Sequence, residues 1–289
     1  MKFTTLVSTS ELAAHLDDPE WIVFDCRTTL TDPEAGRRAY AHGHIPGARY
    51  AHLDEDLSAP ATETTGRHPL PDPNVLAEKL GRWGVSADSQ VVVYDDSFGA
   101  MAVRLWWLLR WLGHEKVALL DGGYPKWHNK EQRPVTAAPP EIRPAVFHAT
   151  PHRALWVDVS QVDAARRDRR WKVLDARPEM RFTGDVEPLD PVAGHIPGTF
   201  NWPFEENLDL DGTYLPTEEL REIYLNILGD VPPSRVIHSC GSGVTACHNI
   251  LAMEHAGLSG SLLYPGSWSE WITDPSRPVE TGETGLLCE

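Results

Sequence analysis

Residues 236–249 read VIHSCGSGVTACHN, which sets Cys240 directly after a short apolar run and ahead of Gly241, Ser242, Gly243, Val244 and Thr245. VIHS is short and apolar enough to be a buried strand. Val244, Cys247 and Leu251 then recur at helical spacing, and Gly257 follows as a cap for the far end. A thiol is thus expected at a strand end, in a loop that feeds a helix N-terminus. Gly241 and Gly243 allow backbone angles closed to other residues, so consecutive N–H groups can converge on one anionic atom. Such a setting favours the thiolate and makes Cys240 the candidate nucleophile.

Two chemistries use a cysteine in this setting. A cysteine phosphatase grips phosphate with a C-x5-R loop, but residue 246 is Ala, so the arginine that would clamp the oxyanion is missing. The other is sulfur transfer, in which the cysteine becomes a persulfide and the ring of N–H groups stabilises its terminal sulfur. The residues favour the second.

The elements that must hold this loop occur twice. IVFDCR at 22–27 matches KVLDAR at 172–177, and GHIPGA at 43–48 matches GHIPGT at 194–199. VVVYDD, ending at Asp96, aligns with VIHSC, ending at Cys240, and LLDGGYPKW at 119–127 aligns with LLYPGSWSEW at 262–271. Repeats this long are duplicated domains, since solenoid units have periods nearer ~20–50 residues. The first copy carries extra residues in SAPATETTGRHPLPDP, and Asp96 takes the cysteine position there. The expected domains are 1–132 and 152–289, joined by the extended, five-proline linker RPVTAAPPEIRPAVFHATP at 133–151. Ser8 with Glu11 is a capping-box pattern opening a helix, and MAVRLWWLLRWLG is a helix closed by Gly113. Alternating short apolar runs and helices argue for an α/β fold with parallel sheets flanked by helices. Ligands bind such sheets beyond the carboxyl ends of the strands, where Cys240 stands.

The bulk properties narrow the partners. With 289 residues, 41% of them hydrophobic, the chain can build two ordinary cores. A formal net charge of −16 repels nucleic acid and anionic lipid, while a local basic pocket can still admit a small anion. No apolar run is long enough to span a membrane, the first residues do not read as a secretory signal, and the four cysteines lack metal-knuckle spacing. These features lead to the expectation of a cytoplasmic protein with reduced thiols, no metal and no nucleic-acid or membrane partner.

The duplicated framework, the two GHIPG turns and CGSGVTAC together resemble the rhodanese superfamily, and specifically its two-domain sulfurtransferases, over nearly the whole chain. The resemblance implies two tandem rhodanese-like domains, the first inactive and the second catalytic, with no cofactor. The CGSGVT loop is similar to that of the family's 3-mercaptopyruvate branch, so the implied donor is 3-mercaptopyruvate, with thiosulfate as the alternative. The implied acceptor is a thiol, such as thioredoxin or a low-molecular-weight thiol, or cyanide. Arg181 matches the family's substrate arginine, and Arg104 matches an arginine contributed by the first domain. Asp54 and His68 match an aspartate and a histidine that form a relay with the loop serine, here Ser242. One position departs from the pattern: Asp190 stands where the mercaptopyruvate branch usually has a second arginine. A rhodanese-like scaffold that only binds partners is the non-enzyme alternative; loss of the cysteine would mark it, and the second copy retains Cys240.

Other residues read as structural. Cys247 lies on the apolar stripe of its helix, Cys26 replaces Ala176 of the other copy, and Cys288 has no visible role. His44 and His195 fix the GHIPG turns. Asp25 with Arg27 and Asp175 with Arg177 brace both copies, and Trp106 and Trp107 belong to the core.

Overall fold

The structure, a computed structural model, describes residues 2–287. It divides into two compact units. The first comprises the chain up to Ala59, Leu70–His152 and Leu210–Thr213; the second comprises Pro60–Pro69, Arg153–Asp209 and the chain from Tyr214 onward. Cys288 lies outside the described residues.

In the first unit the order is β1 (Leu6–Val7), α1 (Thr9–Ala14), β2 (Trp21–Asp25), α2 (Ala35–His42), β3 (Arg49–Tyr50), α3 (Pro73–Arg82), β4 (Gln90–Tyr94), α4 (Val103–Trp111) and β5 (Val117–Leu120). All five strands are parallel, in the order β1-β5-β4-β2-β3. Every residue of β4 is buried, as expected of a central strand covered on both faces. Ser8 caps α1 by accepting the Glu11 N–H at 3.1 Å. In α4, Trp106 and Trp107 are buried as the sequence predicts.

The second unit runs α5 (Val159–Ala165), β6 (Lys172–Asp175), α6 (Glu179–Thr183), β7 (Phe200–Asn201), α7 (Thr217–Leu228), β8 (Val236–Ser239), α8 (Ala246–His255), β9 (Leu262–Leu263) and α9 (Ser267–Trp271). Its parallel sheet has the order β7-β6-β8-β9, and Trp156 bridges to Leu263 where β1 pairs with β5 in the first unit. Val162, Val173, Ile237, Trp268 and Trp271 form its core beside α5 and α9.

The same ion pair braces both sheets. Arg27 grips the Asp25 carboxylate and donates to the Gly43 carbonyl at 2.7 Å; Arg177 grips Asp175 and donates to the Gly194 carbonyl at 2.8 Å. Each arginine thereby ties a strand end to the GHIPG turn. The histidines of those turns are also held by main chain. His44 Nδ1 lies 2.9 Å from the Tyr40 carbonyl, and His195 Nδ1 lies 2.8 Å from that of Phe182. Their structural reading fits this geometry.

Three features differ from the sequence reading. Residues 133–151 are largely extended, yet they group with the first unit. Thr136 exchanges main-chain hydrogen bonds with His44, Ala145 N–H donates to Gly81, and Thr150 N–H donates to Leu112. An extended segment satisfies its polar backbone best along an existing surface. The insertion 60–69, expected in the first domain, groups instead with the second unit. Finally, the residue equivalent to Cys240 is Asp95, not Asp96. Asp25 pairs with Tyr94 and Asp175 with Ser239, so the next residues in the two copies are Asp95 and Cys240. Matching hydrogen bonds run from Tyr124 N–H to the Asp95 carbonyl and from Trp268 N–H to the Cys240 carbonyl.

Candidate active site

The buried strand β8 delivers Cys240 to the sheet's carboxyl end, where the thiol is 2% exposed. The chain then turns through Gly241–Thr245 into α8. Gly243 has φ +75, and a Cβ there would run into the Pro265 carbonyl, so the turn requires glycine. That conformation brings the Gly243 N–H to 3.2 Å from Cys240 Sγ, where it donates to sulfur. Among the described residues, the N–H groups of Ser242, Val244 and Thr245 meet no hydrogen-bond acceptor. They remain available to an anion at this loop. The opposite wall is the start of α9. Ser267 sits at φ 52, uncommon for a residue with a side chain; its hydroxyl accepts the Cys240 N–H at 3.0 Å and donates to the Tyr264 carbonyl at 2.8 Å. Trp268 and Ser269 N–H groups donate to the carbonyls of Cys240 and Gly241. Cys240 is therefore held by hydrogen bonds on both sides.

Ser242 Oγ and His68 Nδ1 are 2.7 Å apart, and both residues are buried. His68 reaches the loop because the 60–69 segment rests on α9: Arg67 N–H donates to Ser269 Oγ at 3.1 Å. Gly66 lies so close to the Gly266 carbonyl that a Cβ there would collide with it. The same segment places the Arg67 guanidinium over the loop. A Cβ built on Gly241 would lie 3.0 Å from Arg67 Nη2 and 3.5 Å from Arg181 Nη1. Burial lowers the Arg67 pKa from its ordinary value.

Carboxylates surround these arginines. Arg181 Nη2 donates to Glu187 at 2.6 Å and to Asp190 at 3.1 Å, and Arg67 pairs with the other Asp190 oxygen. Arg177, already held by Asp175, lies 3.5 Å from Glu187.

The structure therefore brings together Cys240, Gly241, Ser242, Gly243, Val244, Thr245, His68 and Arg181 in the second unit. Asp54 and Arg104 belong to the first unit, Asp54 exposed after β3 and Arg104 fully buried on α4. Sequence reasoning missed Arg67, Glu187, Ser267 and Ser269. For Arg67 a signal existed, since it precedes the candidate His68 in an insertion with no other basic side chain before it. Of the remaining thiols, burial and then Asp25 and Asp95 push Cys26 well above its ordinary range, which makes it a poor nucleophile. Cys247 is buried and donates to the Gly243 carbonyl at 3.5 Å.

The rhodanese-like domain model matches the chain twice, over residues 8–130 and 158–274. A probable 3-mercaptopyruvate sulfurtransferase of Pseudomonas aeruginosa is 48% identical over 98% of this chain and all of its own length. A putative thiosulfate sulfurtransferase, SseB, of Mycobacterium tuberculosis is 39% identical over 96% of this chain and 97% of its own. The solved structure of SseA from Escherichia coli, described as a 3-mercaptopyruvate sulfotransferase, superposes with a TM-score of 0.79 at 34% identity. It matches 93% of this chain and 100% of its own. With two matched domains, full-length relatives and a strand-end cysteine in its N–H loop, the chain belongs to the rhodanese family of sulfurtransferases.

Proposed function

We propose that this sulfurtransferase takes its sulfur from 3-mercaptopyruvate and passes it through a Cys240 persulfide to a thiol or to cyanide. The observation that carries the reading is the 2.7 Å Ser242–His68 pair on the Cys240 loop, a proton-handling pair beside the nucleophile. The Cys240 thiolate attacks the donor's thiol sulfur. The carbon–sulfur bond breaks, its electron pair stays on carbon as the enolate of pyruvate, and the sulfur remains on Cys240. The enolate takes up one proton and the transferred SH group gives one up, so the half-reaction balances. Ser242 and His68 relay that proton, a role worth about 10²–10⁴ in rate. The Gly243 N–H supports the charge on sulfur. An acceptor thiolate or cyanide then attacks the outer sulfur and restores the Cys240 thiolate. A reducing, cytoplasmic setting suits Cys26, Cys240 and Cys247 as free thiols.

Thiosulfate is the second reading, supported by the two guanidiniums over Gly241 and by the relative from Mycobacterium tuberculosis. Thiosulfate releases sulfite without needing a proton and so makes no use of the serine–histidine pair. The loop itself, CGSGVT, carries no basic residue. Steady-state kcat/KM for each donor, with cyanide as acceptor, separates the two readings. A higher value for 3-mercaptopyruvate is expected; a clear thiosulfate preference would overturn the choice.

A further inference from the structure

Arg67 was not among the residues that the sequence singles out, yet its guanidinium is one of two that cover Gly241, next to the nucleophile. Several independent contacts hold it there. Its N–H is anchored on Ser269 Oγ, and the neighbouring Gly66 packs against the Gly266 carbonyl. Its Nη1 and Arg181 Nη2 bind different oxygens of one carboxylate, Asp190, whose side chain is only 2% exposed. Asp190 therefore works as a bridge that sets the separation of the two guanidiniums. Arg67 keeps 30% of its side chain exposed, so it is not sealed inside. The remaining charges are balanced: Arg67, Arg177 and Arg181 face Asp175, Glu187 and Asp190.

We infer that Arg67 is a donor-recognition residue, acting with Arg181 on the anionic group of the incoming sulfur donor, and that Asp190 is a positioning residue that bridges the two arginines and limits their net positive charge. The inference rests on the sulfurtransferase reading with Cys240 as sulfur carrier, and it does not depend on which donor is preferred. A guanidinium offers paired N–H donors that match a carboxylate or a thiosulfonate oxygen pair, which a lysine cannot reproduce. Because carboxylates already pair with both arginines, the cluster carries little net positive charge and suits a donor of single charge better than a dianion. An uncharged residue at position 190 would shift that balance.

Steady-state kinetics of the full-length protein test this, using 3-mercaptopyruvate and thiosulfate in turn with cyanide as acceptor. Arg67→Gln is expected to raise KM for both donors about 10–100-fold with a much smaller change in kcat, the mark of lost binding contacts. Arg67→Lys should recover part of the loss. Asp190→Asn should raise thiosulfate kcat/KM relative to mercaptopyruvate several-fold. The Arg67→Gln, Asp190→Asn double variant removes the buried, unmatched carboxylate that the single change leaves behind. If Arg67 binds donor, the double variant keeps a KM well above that of Asp190→Asn alone. If Arg67 only neutralises Asp190, the double variant returns to the Asp190→Asn value, and the inference is wrong. An unchanged KM in Arg67→Gln overturns it as well. A thiosulfate preference in the unmodified protein would instead count against the proposed donor, and the Arg67 comparison would still be decided by KM.

Discussion

At the carboxyl ends of β4 and β8 the chain makes related turns into a helix, and each turn holds a different side chain. In the first unit it is a carboxylate. Asp95 is fully buried, and its carboxylate accepts four N–H groups, from Ser97 and Gly99 on one oxygen and from Met101 and Ala102 on the other, at 2.8–2.9 Å. In the second unit the equivalent residue is Cys240, and its sulfur accepts the Gly243 N–H. Ser97 follows Asp95 by two positions as Ser242 follows Cys240, but Ser97 Oγ has no hydrogen-bond partner among the described residues, whereas Ser242 has His68. The bracing around both loops is the same Asp-x-Arg pair. In both copies the strand-to-helix turn thus aims main-chain N–H groups at the side chain that ends the strand. On the proposed mechanism the second turn must accept a transient anion, whereas the Asp95 carboxylate already occupies the first.

The two turns differ most at the histidine. His68→Ala leaves Ser242 as isolated as Ser97, and it is expected to lower kcat/KM for 3-mercaptopyruvate by about 10²–10⁴. Thiosulfate turnover, which needs no proton for its leaving group, should fall far less. Equal losses with both donors would remove the proton-relay role.

A smaller effect is expected on the other side. Asp95→Asn replaces one acceptor oxygen by an NH2 group facing two N–H donors, and should cost the first unit about 2–4 kcal/mol in denaturant unfolding at neutral pH. Burial holds the Asp95 carboxyl above its ordinary range, although the four N–H groups pull it down. The folded-state value is therefore the higher one. The contribution of this group is fully present below the unfolded carboxylate range and is lost as pH rises through the folded value. Asp95→Asn should flatten that part of the stability–pH curve; a variant with unchanged stability and unchanged pH dependence would show that the carboxylate does not occupy the turn.

These two loops also show how far the sequence could be read. Cys240, its glycines and the helix after it were legible because strand, turn and helix are local patterns written within fourteen residues. The duplicated Asp-x-Arg and GHIPG motifs were legible because each recurs with its spacing intact. The match of Asp95 to Cys240 was not. α4 begins at Val103, eight positions after Asp95, whereas α8 begins at Ala246, six after Cys240, so sliding one copy along the other cannot fix the register that strand pairing sets. Arg67 was missed for a different reason. Its partner Asp190 is 123 positions away, and a contact between two irregular segments leaves no periodic trace. Asp190 itself was noticed only as a departure from the family pattern; its bridging role depends on that unseen partner.

Cys240 Sγ is the proposed carrier of the sulfur. The decisive measurement is mass spectrometry of the full-length protein and its peptides after donor treatment without acceptor. One added sulfur is expected on the peptide containing Cys240 and none on those containing Cys26 or Cys247, and cyanide should remove it as thiocyanate. Cys240→Ser should gain no sulfur and lose turnover, since a hydroxyl is a far weaker nucleophile and cannot hold a persulfide. Sulfur on another cysteine, or substantial transfer by Cys240→Ser, would contradict the account.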